Sequence, residues 1–346
     1  MAGTTSAAIE TQISSNKPPF VRGILLLGIL IPPIALIAAM VIAWNRGFYL
    51  TDLCLLIGMY LFTGYGITIG FHRYFSHKSF EAPRPVVFIL AVLGSMAMQG
   101  PIFWWVATHR CHHQHSDHDL DPHSPYAPGD HGMIRGFMHA HMGWLFRPRT
   151  EPVDRYVPDL KQDPMLRWVD EHFMYLAIAG IVIPGVIGGL VTMSWWGALG
   201  GALWGGLIRI MVEHHATWSV NSICHIWGSQ PYESHDESRN NAIVGVIALG
   251  EGWHNNHHAF PTSARHGLHW WQFDSSWVII RTMKMLGLAS SLKLPTEERM
   301  ASKRAGRGST ESETDSEAGA EQAPIEEPGI TMVIEDKPEP VSSGTS

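Results

Sequence analysis

Four runs of apolar side chains dominate this sequence and leave few folds open to it. They lie at about 21–44, 48–71, 173–193 and 195–212, and each reaches the ~20 residues a helix needs to cross a hydrocarbon core. Asn45-Arg46-Gly47 joins the first two, and an uncharged turn near Ser194 joins the last two, so the runs pair into two hairpins. Pro32 and Pro33 interrupt the first run, and the fourth is rich in glycine, as expected of closely packed membrane helices. The expected fold is all-α and integral to the membrane, with four transmembrane helices and a polar, histidine-rich helical cap. Residues 1–19 are polar and carry no cleavage signal after an apolar run, and 20–295 form the membrane domain. From 296 to 346 Glu, Ser, Gly, Pro and Ala dominate, which predicts a disordered acidic tail.

Charge adds a negative conclusion. The formal net charge of -7 comes mainly from that tail, so the body offers no basic surface for nucleic acid. Cys54, Cys111 and Cys224 stand far apart, without the spacing of a disulfide framework or a thiolate metal site.

Histidine is over-represented, at 21 residues, and its spacing is informative. His72 and His77 are five apart. His109, His112 and His113 follow an i, i+3, i+4 pattern, as do His254, His257 and His258. Those offsets put three imidazoles on one helical face. Positions i and i+5 diverge by ~140° on an α-helix, so the first pair fits one site best if the second span frays at its end, or if each serves a different ion. Eight clustered imidazoles exceed the four ligands of a tetrahedral zinc site, and two ions sharing them fit better. Imidazole suits iron, copper, zinc and nickel alike. The remaining histidines, His123 and His266 among them, are expected not to be ligands. Asp117, Asp119, Asp121 and Glu251 are placed to accept hydrogen bonds from ligating rings.

The clusters resemble the histidine boxes of the membrane fatty-acid desaturases, and most closely those of the stearoyl-CoA desaturase family. The stretch from Gly250 through His258, followed by Phe260-Pro261, is similar to that family's third box. Asn221 to His225 resembles its additional ligand segment, and Asp121-Pro122-His123 a segment just past the second box. The resemblance covers roughly residues 20–295. It implies a ligand set of His72, His77, His109, His112, His113, His225, His254, His257 and His258, with Asn221 reaching the metal through a water. It also implies two iron ions, dioxygen as co-substrate and an external source of two electrons. Loss of one hydrogen from each of two adjacent methylenes would give a cis alkene and water. The expected substrate is a long-chain saturated fatty acyl group, carried as acyl-CoA or acyl-lipid and desaturated at the Δ9 position.

Two departures from the family stand out. Ala107-Thr108 precede the second box where animal and fungal members carry Arg-Asp, so the family's CoA contacts have no direct counterpart there. Arg147 and Arg149 are the candidate phosphate partners. The His-Pro-Gly-Gly segment of a fused cytochrome domain is not in the sequence, which points to a separate donor, a ferredoxin or small cytochrome with its reductase, as in the bacterial branch. Trp104 and Trp105, just before the second box, are further candidates for lining the acyl site, as are Tyr60 and Gly64. The last two share a helical face, and Gly64 lies ~12 Å before His72, about half an eighteen-carbon chain. In the resembling family that stretch closes the substrate tunnel.

A membrane hydroxylase or alkane monooxygenase uses similar boxes, and a metal transporter with histidine-rich loops is the non-enzyme rival. Transporters place their ligands near the bilayer midplane on broken helices, whereas these histidines cluster at span ends and in the polar segments. For the clusters to meet, 85–107 must not cross the membrane and is expected to lie as an interfacial or re-entrant helix. Lys17, Arg22, Arg73, Lys78, Arg147, Arg149 and Arg167 fall on the box side against Arg46 on the other, which places that side and both termini in the cytoplasm.

Overall fold

The computed structural model describes residues 19–126, 132–147 and 152–304. The regular elements among the described residues are helices, joined by turns and loops that hold isolated β-bridges such as Glu81 with Ser290 and Tyr232 with Arg304. Three helices are long and apolar enough to cross a membrane: Leu26–Arg46 within Pro19–Arg46, Leu50–Ser76, and Phe173–Thr192. The fourth expected span follows as one continuous run, 195–226, made of α-helix, a π-helical stretch Gly201–Ile208 and α-helix again. Arg209 and Glu213 are buried inside it, a polar interior that its glycine-rich first half does not announce.

The turns follow from local chemistry. Gly47 adopts φ +90 after the first helix, a conformation that suits glycine, and its N–H bonds Ala43 O at 2.8 Å. Asp52 then accepts from the Tyr49 N–H at 3.1 Å and caps the second helix. Ser194 caps the 195–226 run by accepting from Trp196 N. The third helix and this run approach backbone to backbone, since a Cβ on Gly201 would lie 2.1 Å from Pro184 O. Without a hydrophobic drive between helices in lipid, that close fit is what holds them together.

The apolar segment 85–107 does not form one helix long enough to cross. Arg84–Met96 has 13 residues, ~20 Å of helix against a core of ~30 Å, and the chain then bends at Met98 and Gly100, both at positive φ, into Ile102–His115. Arg84–Met96 packs on the second helix where Gly66 meets Gly94, with a Cβ on Gly66 only 2.2 Å from Gly94 N. The expected tail boundary at 296 falls just before a further helix, Glu297–Ser302, capped by Thr296, after which Lys303 Nζ donates to Ala259 O at 3.0 Å. Residues 1–18 and 305–346, which carry the expected polar segment and most of the acidic tail, lie outside the described residues, as does Arg149.

Candidate metal centre

The second helix does not fray at its end. It changes hydrogen bonding instead, and Gly66–Ser76 is π-helical. His77 N–H donates to His72 O at 3.2 Å, an i→i+5 bond. That winding stacks residues five apart, where an α-helix would splay them. The two rings come to a 4.9 Å centroid separation and fall in one group of potential ligands. Single π turns inside α-helices are frequent at functional sites.

Ile102–His115 presents His109, His112 and His113, the 195–226 run brings His225 near its end, and the short helix His254–Ala259 carries the third cluster. All nine expected histidines meet in two groups. His72, His77, His109, His113 and His257 form one; His112, His225, His254 and His258 form the other. Within each group the ligand atoms lie within 4.8 Å of one another. Nε2 of His72 is 3.0 Å from that of His257, His77 is 2.7 Å from His109, and His254 is 3.0 Å from His225. Adjacent members of the second and third boxes go to different groups: His112 and His113 part, as do His257 and His258. Asn221 precedes His225 by one helical turn and lines the cavities beside the groups.

Carboxylates set the rings from behind. His112 Nδ1 meets both oxygens of Asp121 at 3.0 Å, His225 Nδ1 meets Asp117 Oδ2 at 2.8 Å, and His258 Nδ1 pairs with Asp236. His72 Nδ1 lies 2.5 Å from Glu251 Oε2, an ion-pair contact without hydrogen-bond alignment. A carboxylate on Nδ1 holds the proton there and turns Nε2, with its lone pair, toward a metal. Asp119 is exposed and takes no such part. The loop after the second box is knit for the purpose: Asp117 stands at φ +62, accepts from Ser124 Oγ at 2.7 Å, and donates its N–H to Asp121 at 2.9 Å.

Electrostatics agree with a cation site. Burial drives His77, His109, His113, His254 and His257 well below the ordinary imidazole range, and the neighbouring rings add to it. These rings are neutral at neutral pH, which is the ligating form. Burial lowers His258 to about 4 although Asp236 opposes it. Burial alone would raise Asp121 and Asp236, but the facing His112 and His258 hold both carboxyls well below their usual range. Nine imidazoles converging in two groups, with four carboxylates behind them, fit two first-row transition ions.

Three residues outside the expected set belong to this architecture. Asp236 lies in a segment without motif spacing. His266 is fully buried, its ring 4.4 Å from His257 and its Nδ1 3.2 Å from Glu251 Oε2, an ion-pair contact without hydrogen-bond alignment. Arg73, expected as a surface charge, is instead buried completely. Its guanidinium meets Glu251, Asp274 and Ala264 O at 2.8–3.3 Å and ties the first box to the third. Its adjacency to His72 was the one available signal.

Two cavities flank the groups and share Trp105, His109, Thr217 and Asn221. The wider, about 260 Å³, reaches Gly28 and Ile29 of the first helix, Trp104, Trp144, and Phe173 and Met174 of the third. The other runs down the second helix past Thr68 and Ile67 to Gly64 and Tyr60. Gly64 lines this cavity, and a Cβ there would come 2.7 Å from Leu249 Cδ1, the far end of that side chain. Tyr60 is fixed by donating to Ile247 O at 2.5 Å. Arg147 is exposed, two residues past the cavity-lining Leu145.

Comparison with known proteins agrees with this arrangement. The sequence profile named "Fatty acid desaturase" matches residues 47–287. A hex-5-enoyl-[acyl-carrier protein] acetylenase of Moorena producens is 40% identical over 278 residues, covering 79% of this chain and 87% of that protein. An sn-1 stearoyl-lipid 9-desaturase of Anabaena variabilis is 40% identical, over 67% of this chain and 79% of its own length. An acyl-CoA C20 Delta5-desaturase of Anemone leveillei is 39% identical, over 67% and 70%. With a family match over most of its length, and histidines gathered as such chemistry requires, this chain belongs to the fatty acid desaturase family.

Proposed function

We propose that the protein is a di-iron, dioxygen-dependent desaturase that puts a cis double bond into a long-chain saturated fatty acyl substrate, at Δ9. The observation that carries this reading is the position of the two histidine groups at the junction of two narrow cavities. An acyl chain threaded through both would present one methylene pair to the metals. The nine histidines are the proposed ligands, with Asn221 contributing through a water. Two iron ions, when bound, supply the activation of dioxygen that C–H removal needs. The chain's own groups do the rest. Asp117, Asp121, Asp236 and Glu251 keep the protons of the ligating rings on Nδ1. Trp105 and Thr217 flank the chain where the cavities meet, and the buried setting excludes water and fixes which methylenes face the metals.

Trp104, Trp105, Tyr60 and Gly64 are proposed to line the acyl site, with Arg147 and Arg149 as partners of a polar head beyond its mouth. Acyl-CoA is the carrier the resemblance implies. An acyl-lipid is the second reading, favoured by the wider cavity's wall of first- and third-helix residues and by the absence of Lys and Arg from its lining among the described residues. The three relatives named above act on acyl-carrier-protein, lipid and CoA substrates respectively, so descent is compatible with each. Four spans, with the caps and both termini in the cytoplasm, and a separate ferredoxin or small cytochrome as donor complete the proposal.

The test is to express the chain in cells fed deuterium-labelled stearate and to analyse total fatty acids by gas chromatography with mass spectrometry. A labelled cis-monoene that has lost two deuteriums supports the reading. A labelled hydroxy acid in its place assigns the protein to the hydroxylases and overturns it.

A further inference from the structure

The narrower cavity ends in a group that an acyl tunnel does not need. Glu213, on the 195–226 run, is 3% exposed and lines the cavity together with Tyr60, Gly64 and Leu249. Its Oε2 accepts from Arg209 Nη1 at 3.2 Å and lies 2.8 Å from Thr63 Oγ1, whose single proton is shared with Met59 O. Arg209 is also held by Gly180 O, Met96 O and Gly205 O, so the pair is anchored in the helix packing. Glu213 Oε1 is buried and has no hydrogen-bond partner. It faces the second helix, 3.9 Å from where a Cβ on Gly64 would stand. Tyr60 cannot serve it as a donor, since its hydroxyl proton is already given to Ile247 O. Apolar neighbours such as Leu249, Ala248, Ala216 and Val220 make up most of the remaining wall.

A bare carboxylate oxygen at the end of an apolar tube is a chemical statement about what can end there. A methyl group pressed against it offers no donor and removes any chance of one, and unpaired buried acceptors are costly. Ionisable groups kept inside a membrane domain commonly have such a role. Resting on the desaturase reading above, we propose that Glu213 limits the methyl side of the acyl substrate: chains are accepted only when their methyl end stops short of its carboxylate. At Glu213 the limit is one of polarity, because a leucine there would occupy nearly the same volume.

The experiment counts carbons on the methyl side of the new double bond. Cells expressing the full chain receive an equal mixture of fourteen- to twenty-carbon saturated acids, and the monoenes are analysed for length and double-bond position. The parent is expected to fall off sharply beyond one methyl-side length. Glu213→Leu should raise the ratio of products one pair of carbons longer by about tenfold, and Glu213→Gln, which keeps a polar end, should hold the parent ratio. If Glu213→Leu is not recovered because Arg209 is left unpaired, the double variant Arg209→Leu/Glu213→Leu takes its place. A parent that desaturates all lengths alike, a leucine variant with the parent ratio, or leucine and glutamine variants shifted equally would each overturn the proposal. A parent that makes no alkene at all refutes the desaturase reading instead.

Discussion

His257 contacts two members of its group closely, with Nε2 3.0 Å from His72 and 2.8 Å from His113. His257→Ala is therefore expected to abolish desaturation and lower bound metal while the protein still inserts in the membrane. Fatty-acid analysis and metal content of the purified variant check this, and full activity would exclude the ligand role. Asp236 acts one step further out. Asp236→Asn should weaken metal retention some 10- to 100-fold in a chelator titration, with the folded protein recovered normally. Gly64→Leu should lower the ratio of eighteen- to sixteen-carbon monoenes, with Leu249 as the side chain it displaces, and Tyr60→Ala should raise it. An unchanged ratio in both would make these packing residues. At this scale the sequence told most where chemistry repeats at helical spacing. All nine histidines were visible that way or through the resemblance, as were Asp117, Asp121 and Glu251. Asp236, His266 and Arg73 were not, because their roles depend on loops that return from distant parts of the chain, and no local period encodes such a return.

The elements were legible by length and hydropathy except where hydrogen bonding departs from the α pattern. Three long apolar helices and the shorter apolar helix Arg84–Met96 follow from residue counts alone. The π-helical turn through His72 and His77 does not, since glycines at 66 and 70 are equally good signs of close packing. Sidedness is the property of the elements that most needs measuring. In a chain with its native cysteines replaced, cysteines at Asp119, exposed on the cap, and at Met193, exposed at the turn after the third helix, should label from opposite sides of sealed vesicles. Labelling from one side would rule out the proposed topology.

The whole molecule couples its stability to its metal site. Without metal, His258 and His266 have folded-state values of about 4, and five further cap imidazoles lie well below their ordinary range, against ~6.5 in the unfolded chain. Between those values the unfolded state binds more protons, so stability falls as pH falls. Chelator-stripped protein in detergent should lose melting temperature progressively from about pH 6.5 toward 4, and metal-loaded protein should lose less. A flat profile for the stripped protein would contradict the buried neutral cluster. Truncation after Arg304 is expected to leave activity per folded molecule unchanged, because the last described contacts, Lys303 with Ala259 and Arg304 with Tyr232, are retained. The central claim is that nine imidazoles make two metal sites and not one. It is tested most directly by counting metal in purified, monodisperse protein from iron-replete cells, using inductively coupled plasma mass spectrometry against quantitative amino-acid analysis. The account predicts about two ions per chain, iron or the zinc that displaces it on overexpression, falling in His257→Ala. A stable value of one ion per chain in active protein would contradict it.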